Sequence, residues 1–347
     1  MKIFISVISL FILCTIGCTD SMEQPTTRLY ELNGQALGTT WAIKLLTKNE
    51  IMEKELKIDV VKRLEELEKI FSNWRPDAKL QQINSAITTS PFSINPELLE
   101  LLRHAKWMHS ETSGAFDPTI APVVNLWGFG PVGKTRSTVP SNDQIERAMT
   151  LTGLDKLEIL PKGLIQKKVP TLQLDFSASA KGEIIDQICK LLESCGFNNY
   201  LVEIGGEIRA EGKGRKGKGW VVGLEDGHSN NENGMASVLL RNYAVATSGS
   251  YRLNKPNPNS NRSASHLIDP RTGRPIEHEL IAVNAFAPTA RDADAWATAL
   301  MILGPEDGVQ MAEKMDMVAR FSVLKDDEVM ILKSTAYDRI FTRLTSN

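Results

Sequence analysis

The chain has 347 residues, 42% of them hydrophobic and 24% charged, with a formal net charge of −2. Those values place it among ordinary soluble globular proteins. Without a basic excess there is nothing to lay along a phosphate backbone, which excludes a nucleic-acid partner.

The first residues, Met1-Lys2, precede an apolar run from Ile3 to Ile16 that ends at Gly17-Cys18. A short positive start and a hydrophobic segment too brief to span a bilayer stably make residues 1–17 a secretory signal. A small residue followed by Cys resembles a bacterial lipoprotein cleavage box. On that reading Cys18 is the acylated first residue of the mature chain, which is exported, lipid-anchored at a bacterial membrane and faces the periplasm. Thr15 stands where Leu is usual in such boxes, and an ordinary signal with an incidental Cys is the alternative. Residues 18–28 are polar, contain Pro25 and lack any period, so they read as a tether. No Pro/Gly/Ser linker and no internal repeat divides residues 29–347, which are expected to form one intertwined unit.

Along that body, Leu29 to Leu46 reads as a strand pair, and Ile51 to Phe71 carries apolar residues at helical spacing. Pro96 to His109 is a second helix. Leu172 to Leu174 reads as a short strand ending at Asp175. From Glu183 the set Ile184, Ile185, Ile188, Leu191, Leu192 and Cys195 keeps helical period and stops at Gly196. Tyr200 to Ile208, Trp220 to Leu224, Ala236 to Leu240, Tyr243 to Ala246 and Leu280 to Phe286 follow as strands. The class is α+β, with a mostly antiparallel or mixed sheet and packed helices. Beyond Cys14 and Cys18, Cys189 and Cys195 lie six apart near the end of one helix, a poor geometry for a disulfide. They are expected to be unpaired and mostly buried, and no Cys/His spacing indicates zinc.

The residues that carry chemistry sit at junctions. Asp294 and Thr298 are four apart in an Ala-rich helical stretch, so two hard oxygens share a face. Mg2+ takes one or two such protein oxygens and leaves its other positions to water and phosphate. The same pair also fits a polar face or a buried hydrogen-bonded pair. Ser177, Ala178 and Ser179 lead into a helix whose N-terminal N–H groups favour anions, although from these residues alone Asp175 or a serine acting as a cap is the better reading. Gly205-Gly206 inside a strand pattern indicates a bulge or a close approach. Thr247-Ser248-Gly249-Ser250 adds hydroxyls and a hinge. Gly212 to Gly219 alternates glycine with Lys213, Arg215, Lys216 and Lys218, and reads as a flexible hairpin tip, not a phosphate loop. Trp127, Phe129 and Trp296 fit plain core, and Asp269 to Gly273 is first of all a turn.

In order, these blocks resemble those of the ApbE-type FAD:protein FMN transferases, from about Gly38 to Gly304. The series comprises Leu37-Gly38-Thr39-Thr40-Trp41, Phe71 to Asp77, Gly114 to Thr119, Asn125 to Gly130, Leu174-Asp175 through Lys181-Gly182, and Ile204-Gly205-Gly206-Glu207. It continues with Ala246 to Tyr251, Ser265 to Gly273, and Ala293-Asp294 to Thr298-Ala299-Leu300. The resemblance implies that residues 29–347 are a flavin transferase domain. It implies FAD contacts at Leu37, Trp74, Ala115, Phe116, Asp117, Asp175, Lys181 and Ile268. It also implies Mg2+ on Asp294, Thr298 and the backbone carbonyl of Ala178, with Mn2+ not distinguished by such donors. Ala297 stands where some members place another acidic ligand.

The implied reaction moves FMN from FAD to a Thr or Ser hydroxyl of an exported acceptor and releases AMP. Such acceptors are redox-pump subunits or flavoprotein reductases bearing a flavinylation motif. The hydroxyl must lose a proton, and His266, with an ordinary pKa of about 6.5, suits a general base near neutrality. The other reading of His266 is a residue orienting the Asp-Pro turn that follows. Two rival functions are a Mg-dependent FAD pyrophosphatase giving FMN and AMP, and a lipoprotein that only binds FAD.

Overall fold

The computed structural model describes residues 27–132, 139–227, 236–250, 254–255, 264–326 and 328–345. The expected signal, Cys18 and most of the tether lie outside the described residues, as does Tyr251.

Strand β1 (Arg28–Ala36) turns at Leu37-Gly38 into β2 (Thr39–Thr47), with φ of 57° and 72° at the two turn residues. Positive φ at both central positions matches the twist of a two-residue hairpin. Trp41, Ile43 and Leu45 alternate inward along β2 and are buried. Helix α1 (Glu53–Phe71) buries Leu56, Val60, Leu64, Leu67 and Phe71, one face at steps of three and four. The short α2 (Lys79–Ser85) and then α3 (Pro96–Glu111) follow. Asn95 caps α3, accepting from the N–H groups of Glu97 and Leu98, and Pro96 occupies the first turn where no N–H is needed. Next come α4 (Ala121–Leu126), α5 (Asn142–Met149) and α6 (Ala180–Ser194).

Strands β3 (Tyr200–Ile204) and β4 (Glu207–Glu211) form a hairpin about Gly205-Gly206, both at positive φ. The expected single strand from Tyr200 to Ile208, with a bulge inside it, is therefore corrected. The glycines reverse the chain. Strands β5 (Trp220–Leu224) and β6 (Ala236–Leu240) pair as a separate ribbon. Then come β7 (Tyr243–Gly249), β8 (Leu280–Ala287), α7 (Ala290–Lys314), β9 (Val318–Lys325), β10 (Glu328–Lys333) and α8 (Thr335–Thr345). Helix α7 is broken at Gly304, φ 85°, immediately before Pro305.

The main sheet has eight strands in the order β1-β2-β3-β4-β7-β8-β9-β10, every neighbouring pair antiparallel. Its side chains alternate between two apolar layers, as strand period requires. Val202, Ala244 and Ala246 join the large core with α1, α3, α6 and α7. Leu201, Val245 and Phe286 face the opposite way, onto the β5–β6 ribbon and onto Tyr337 and Phe341 of α8. Each fully buried Leu or Phe in these layers contributes about 1.5–3 kcal/mol. The class is α+β, as the sequence predicts.

Three other expectations change. Leu172 to Leu174 forms no strand, because the Asn84 side chain takes both backbone groups of Leu174. Its Nδ2 donates to the Leu174 carbonyl (2.9 Å) and its Oδ1 accepts the Leu174 N–H (2.8 Å). The Gly212 to Gly219 segment is not a hairpin tip, since it joins β4 of the main sheet to β5 of the ribbon. Both cysteines are unpaired, but only Cys189 is buried; Cys195 lies exposed at the C-cap of α6.

Candidate active site

Antiparallel register sorts the sheet into two ends. One end gathers the Leu37-Gly38 turn, the Gly205-Gly206 turn and the close of β7 at Thr247 to Gly249. A cavity of about 430 Å3 opens there, within the usual small-molecule range of about 300–1,000 Å3. Trp74, Ala115, Phe116, Asp117, Asp175, Ala178, Lys181, His266, Ile268, Asp294 and Thr298 all line it. Leu37 does not: at φ 57° in the β1–β2 turn it packs half-buried against the large core.

Each wall has a local cause. After α3, Gly114 adopts φ 83°, and the Thr112 hydroxyl accepts the Phe116 N–H (3.0 Å). Asp117 accepts from both the N–H and the hydroxyl of Thr119, at 2.8 and 2.6 Å, which starts the single 3-10 turn that follows. The Asp175 N–H donates to the Pro118 carbonyl (2.7 Å), tying the second wall to the first. Asp175 caps no helix. Its Oδ1 accepts the Ser177 N–H and the Asn73 amide. Asn73 is in turn held by Gln81 of α2, which donates to its carbonyl (2.6 Å), and its own buried Oδ1 has no hydrogen-bond partner among the described residues.

The third wall is the crossing of α6 and α7. Thr289 caps α7 by accepting the Asp292 N–H (3.1 Å), and Asp294 and Thr298 follow on one face. Asp294 Oδ2 accepts the Gly182 N–H from the first turn of α6 (2.9 Å), and Thr298 Oγ1 lies 3.1 Å from Ser248 Oγ of β7. A Cβ on Gly182 would fall 2.2 Å from the Ala290 carbonyl oxygen, so only glycine permits this approach. Across the cavity Lys181 pairs with Glu207 of β4 at 2.5 Å, and Glu207 is 2% exposed. The His266 ring packs edge-on against Phe129, centroids 6.4 Å apart. Trp74, 54% exposed, stands at the rim.

Asn73 and Glu207 line the cavity although sequence reasoning assigned them no role, and Ser248, read only as a hydroxyl of a hinge, lines it too. Asn73 and Glu207 sit inside recognised blocks, but nothing in the chain pairs Asn73 with an aspartate 102 residues away. Phe129, read as core, lines the cavity, whereas Trp127 is core and donates its indole N–H to the Gly273 carbonyl (2.9 Å).

The donor set suits a hard cation. Asp294, Thr298 and Ala178 border one cavity, and no group of three His, Cys, Asp or Glu side chains that could hold a metal occurs among the described residues. A carboxylate and a hydroxyl side by side match Mg2+, which keeps water and phosphate as its remaining ligands, better than zinc.

The ApbE family model matches residues 37–321. The FAD:protein FMN transferase of Vibrio cholerae is 34% identical over 317 residues, covering 91% of this chain and 92% of the relative. The protein of that name from Klebsiella pneumoniae is 33% identical over 318 residues, covering 90% and 89%. Among solved structures, the flavin transferase ApbE of Vibrio cholerae superimposes with a TM-score of 0.83 at 33% identity, covering 90% of this chain and 99% of that one. The flavinyl transferase ApbE of Pseudomonas stutzeri gives 0.83 at 33%, covering 91% and 97%. By sequence over most of its length and by fold, this chain belongs to the ApbE family.

Proposed function

We propose that the protein is an FAD:protein FMN transferase that moves the FMN moiety of FAD to a Thr or Ser hydroxyl of an exported acceptor and releases AMP. The observation that carries this reading is the meeting of His266, Asp175, Lys181, Asp294 and Thr298 around one cavity, in a chain whose relatives are named for that activity.

In this reading Trp74 and the Ala115–Asp117 wall hold the flavin end of FAD, and Asp294, Thr298 and the Ala178 carbonyl hold Mg2+. The ion, when bound, neutralises charge that builds on the pyrophosphate. His266 accepts the proton of the acceptor hydroxyl as its oxygen bonds to the FMN-side phosphorus. The bond from that phosphorus to the bridging oxygen breaks, and AMP carries the oxygen away. Lys181, oriented by Glu207, adds positive charge beside the phosphates. General-base assistance of this kind is worth about 10²–10⁴ in rate. The chain acts, on the same proposal, as an exported lipoprotein anchored through Cys18 and serving a redox-pump subunit or flavoprotein reductase.

The test incubates the chain lacking its export segment with FAD, Mg2+ and an acceptor domain bearing a flavinylation motif, and weighs the acceptor. A Mg2+-dependent gain of one FMN, lost in His266→Ala, is expected. Free FMN and AMP beside an unmodified, folded acceptor would instead assign a pyrophosphatase. Intact bound FAD would assign a binding protein.

A further inference from the structure

The eight-stranded sheet has a second end, opposite the cavity. The register places Arg28, the close of β2 at Thr47, Asn199, the close of β4 at Glu211 and the start of β7 at Tyr243 together there. Strand β7 runs from that end at Tyr243 to the cavity at Gly249. Seven residues of strand separate the two ends by about 20 Å.

The glycine-rich basic loop is fixed at this second end. Gly219 donates its N–H to the Lys213 carbonyl (2.8 Å), and Gly214 donates to Asn199 Oδ1 (2.9 Å). The Asn199 carbonyl accepts the Leu46 N–H (2.9 Å), so the loop is pinned beside the close of β2. A Cβ on Gly214, φ 60°, would fall 2.2 Å from the Gly219 carbonyl oxygen, which is why glycine is needed there. Lys213, Arg215, Lys216 and Lys218 are all exposed. Arg28, Lys48 and Arg241 are exposed at the same end, against the exposed Glu50, Glu193 and, before β9, Asp316, and the half-buried Glu211. Leu29 and Val221, beside Arg28 and the loop, are exposed apolar side chains.

A strand's length from the cavity, these cations cannot serve the phosphates of a substrate held there. They do lie at the same end of the sheet as Arg28, where the chain enters the fold from residues 18–28. We infer that this end is a membrane-facing surface, on which the Lys213–Lys218 loop settles on anionic phospholipid headgroups and holds the cavity facing away from the bilayer. The inference rests on the reading of Cys18 as a lipid anchor. A lipid anchor on a tether fixes the chain to the bilayer without setting its orientation, and a polybasic patch at the end where the tether attaches holds that end against an anionic surface. In a chain of net charge −2, concentrating the cations at one end also turns the more acidic remainder away from an anionic surface.

The test uses the chain from residue 18 with Cys18→Ser, so that no acyl group contributes. It is floated with vesicles of phosphatidylcholine alone and of phosphatidylcholine mixed with anionic phosphatidylglycerol. Binding to the anionic vesicles only, reversed by salt, is expected. The K213Q/R215Q/K216Q/K218Q variant should bind at least tenfold more weakly, since each basic residue near an anionic surface is worth about a factor of five. FMN transfer in vesicle-free solution should be unchanged in that variant, which certifies its fold. Equal binding by the variant, or no preference for anionic vesicles, overturns the inference. So does slower transfer to the acceptor in solution, which would assign the loop to protein docking. The mass of the chain recovered from membranes of exporting cells tests the anchor separately: an unacylated Cys18 refutes the anchor and leaves the vesicle result standing.

Discussion

Where α6 and α7 cross, two aspartates of equal burial, each 5% exposed, do opposite things. Asp186 of α6 accepts the N–H groups of Ala290 and Arg291 at the start of α7, at 2.9 and 3.0 Å, and pairs with Arg209 at 2.7 Å. Asp294 of α7 reciprocates with the Gly182 N–H of α6, but its side chain also borders the cavity beside Thr298 and Ser248. Burial therefore does not mark function. Asp186 is used up by backbone donors and a cation of the fold, while Asp294 accepts the Gly182 N–H and also lines the cavity.

The sharpest way to break that comparison is to remove the Asp294 charge while keeping its acceptor. Asp294→Asn still receives the Gly182 N–H, so its melting temperature should stay within about 2 °C of wild type. Its FMN transfer should fall by about 10³-fold or more, because stabilising charge on the transferring phosphate is commonly worth several kcal/mol. Calorimetry and the acceptor mass assay, run on the same sample, check both halves. A variant that transfers at near the wild-type rate sinks the assignment of Asp294 to the metal.

Asp186→Ala should give the reverse pattern. It leaves the half-buried Arg209 with only its longer pair to Glu193 (3.8 Å) and two helix N–H groups without an acceptor, a loss of about 3–5 kcal/mol. At roughly 2 °C per kcal/mol for a chain of this size, the midpoint should drop by about 6–10 °C. Transfer measured well below that midpoint should retain most of its rate. Gly182→Ala tests the crossing itself. Its Cβ meets the Ala290 carbonyl, so α6 and α7 must separate, and the variant should lose about 1–3 kcal/mol of stability together with about 10-fold in transfer rate, since Asp294 moves with α7. Stability loss without a rate change would show that the position of Asp294 tolerates the shift.

What sequence could reveal follows the range of the interaction. The β1–β2 pair, α1, α3 and α6 are periodic within themselves, and their bounds fall within a few residues of expectation. That Asp294 and Thr298 share a face was legible because helical spacing alone sets it, whereas a metal role for them came from resemblance to a family. The strand expected over Leu172 to Leu174 failed because Asn84, ninety residues away, satisfies that backbone. Asn73 stayed without a role because its partner, Asp175, is equally remote. The roles of Asp175, Ile268 and Ala115 came from resemblance to a family, since no local rule separates an Asx turn that lines a cavity from one that does not.

Lys167 extends the comparison to a cation and gives the smallest expected effect. It is fully buried, and its Nζ donates to the carbonyls of Ile83 and Ala86 at 2.6 and 2.8 Å, closing the C-terminal end of α2. That helix carries Gln81 and Asn84, which hold the Asn73 and Leu174 backbones behind Asp175. Burial lowers the Lys167 ammonium to about 8. Between pH 8 and the ordinary lysine value near 10.4, the folded chain has released this proton while the unfolded chain still holds it. The unfolded state then binds more protons, so stability rises with pH across that window, by on the order of 1 kcal/mol per unit. Lys167→Met has no proton to release. Urea unfolding of the two proteins at pH 8 and pH 9 should show wild type gaining on the variant by about 1 kcal/mol, and parallel profiles would mean that the two carbonyls hold Lys167 charged throughout.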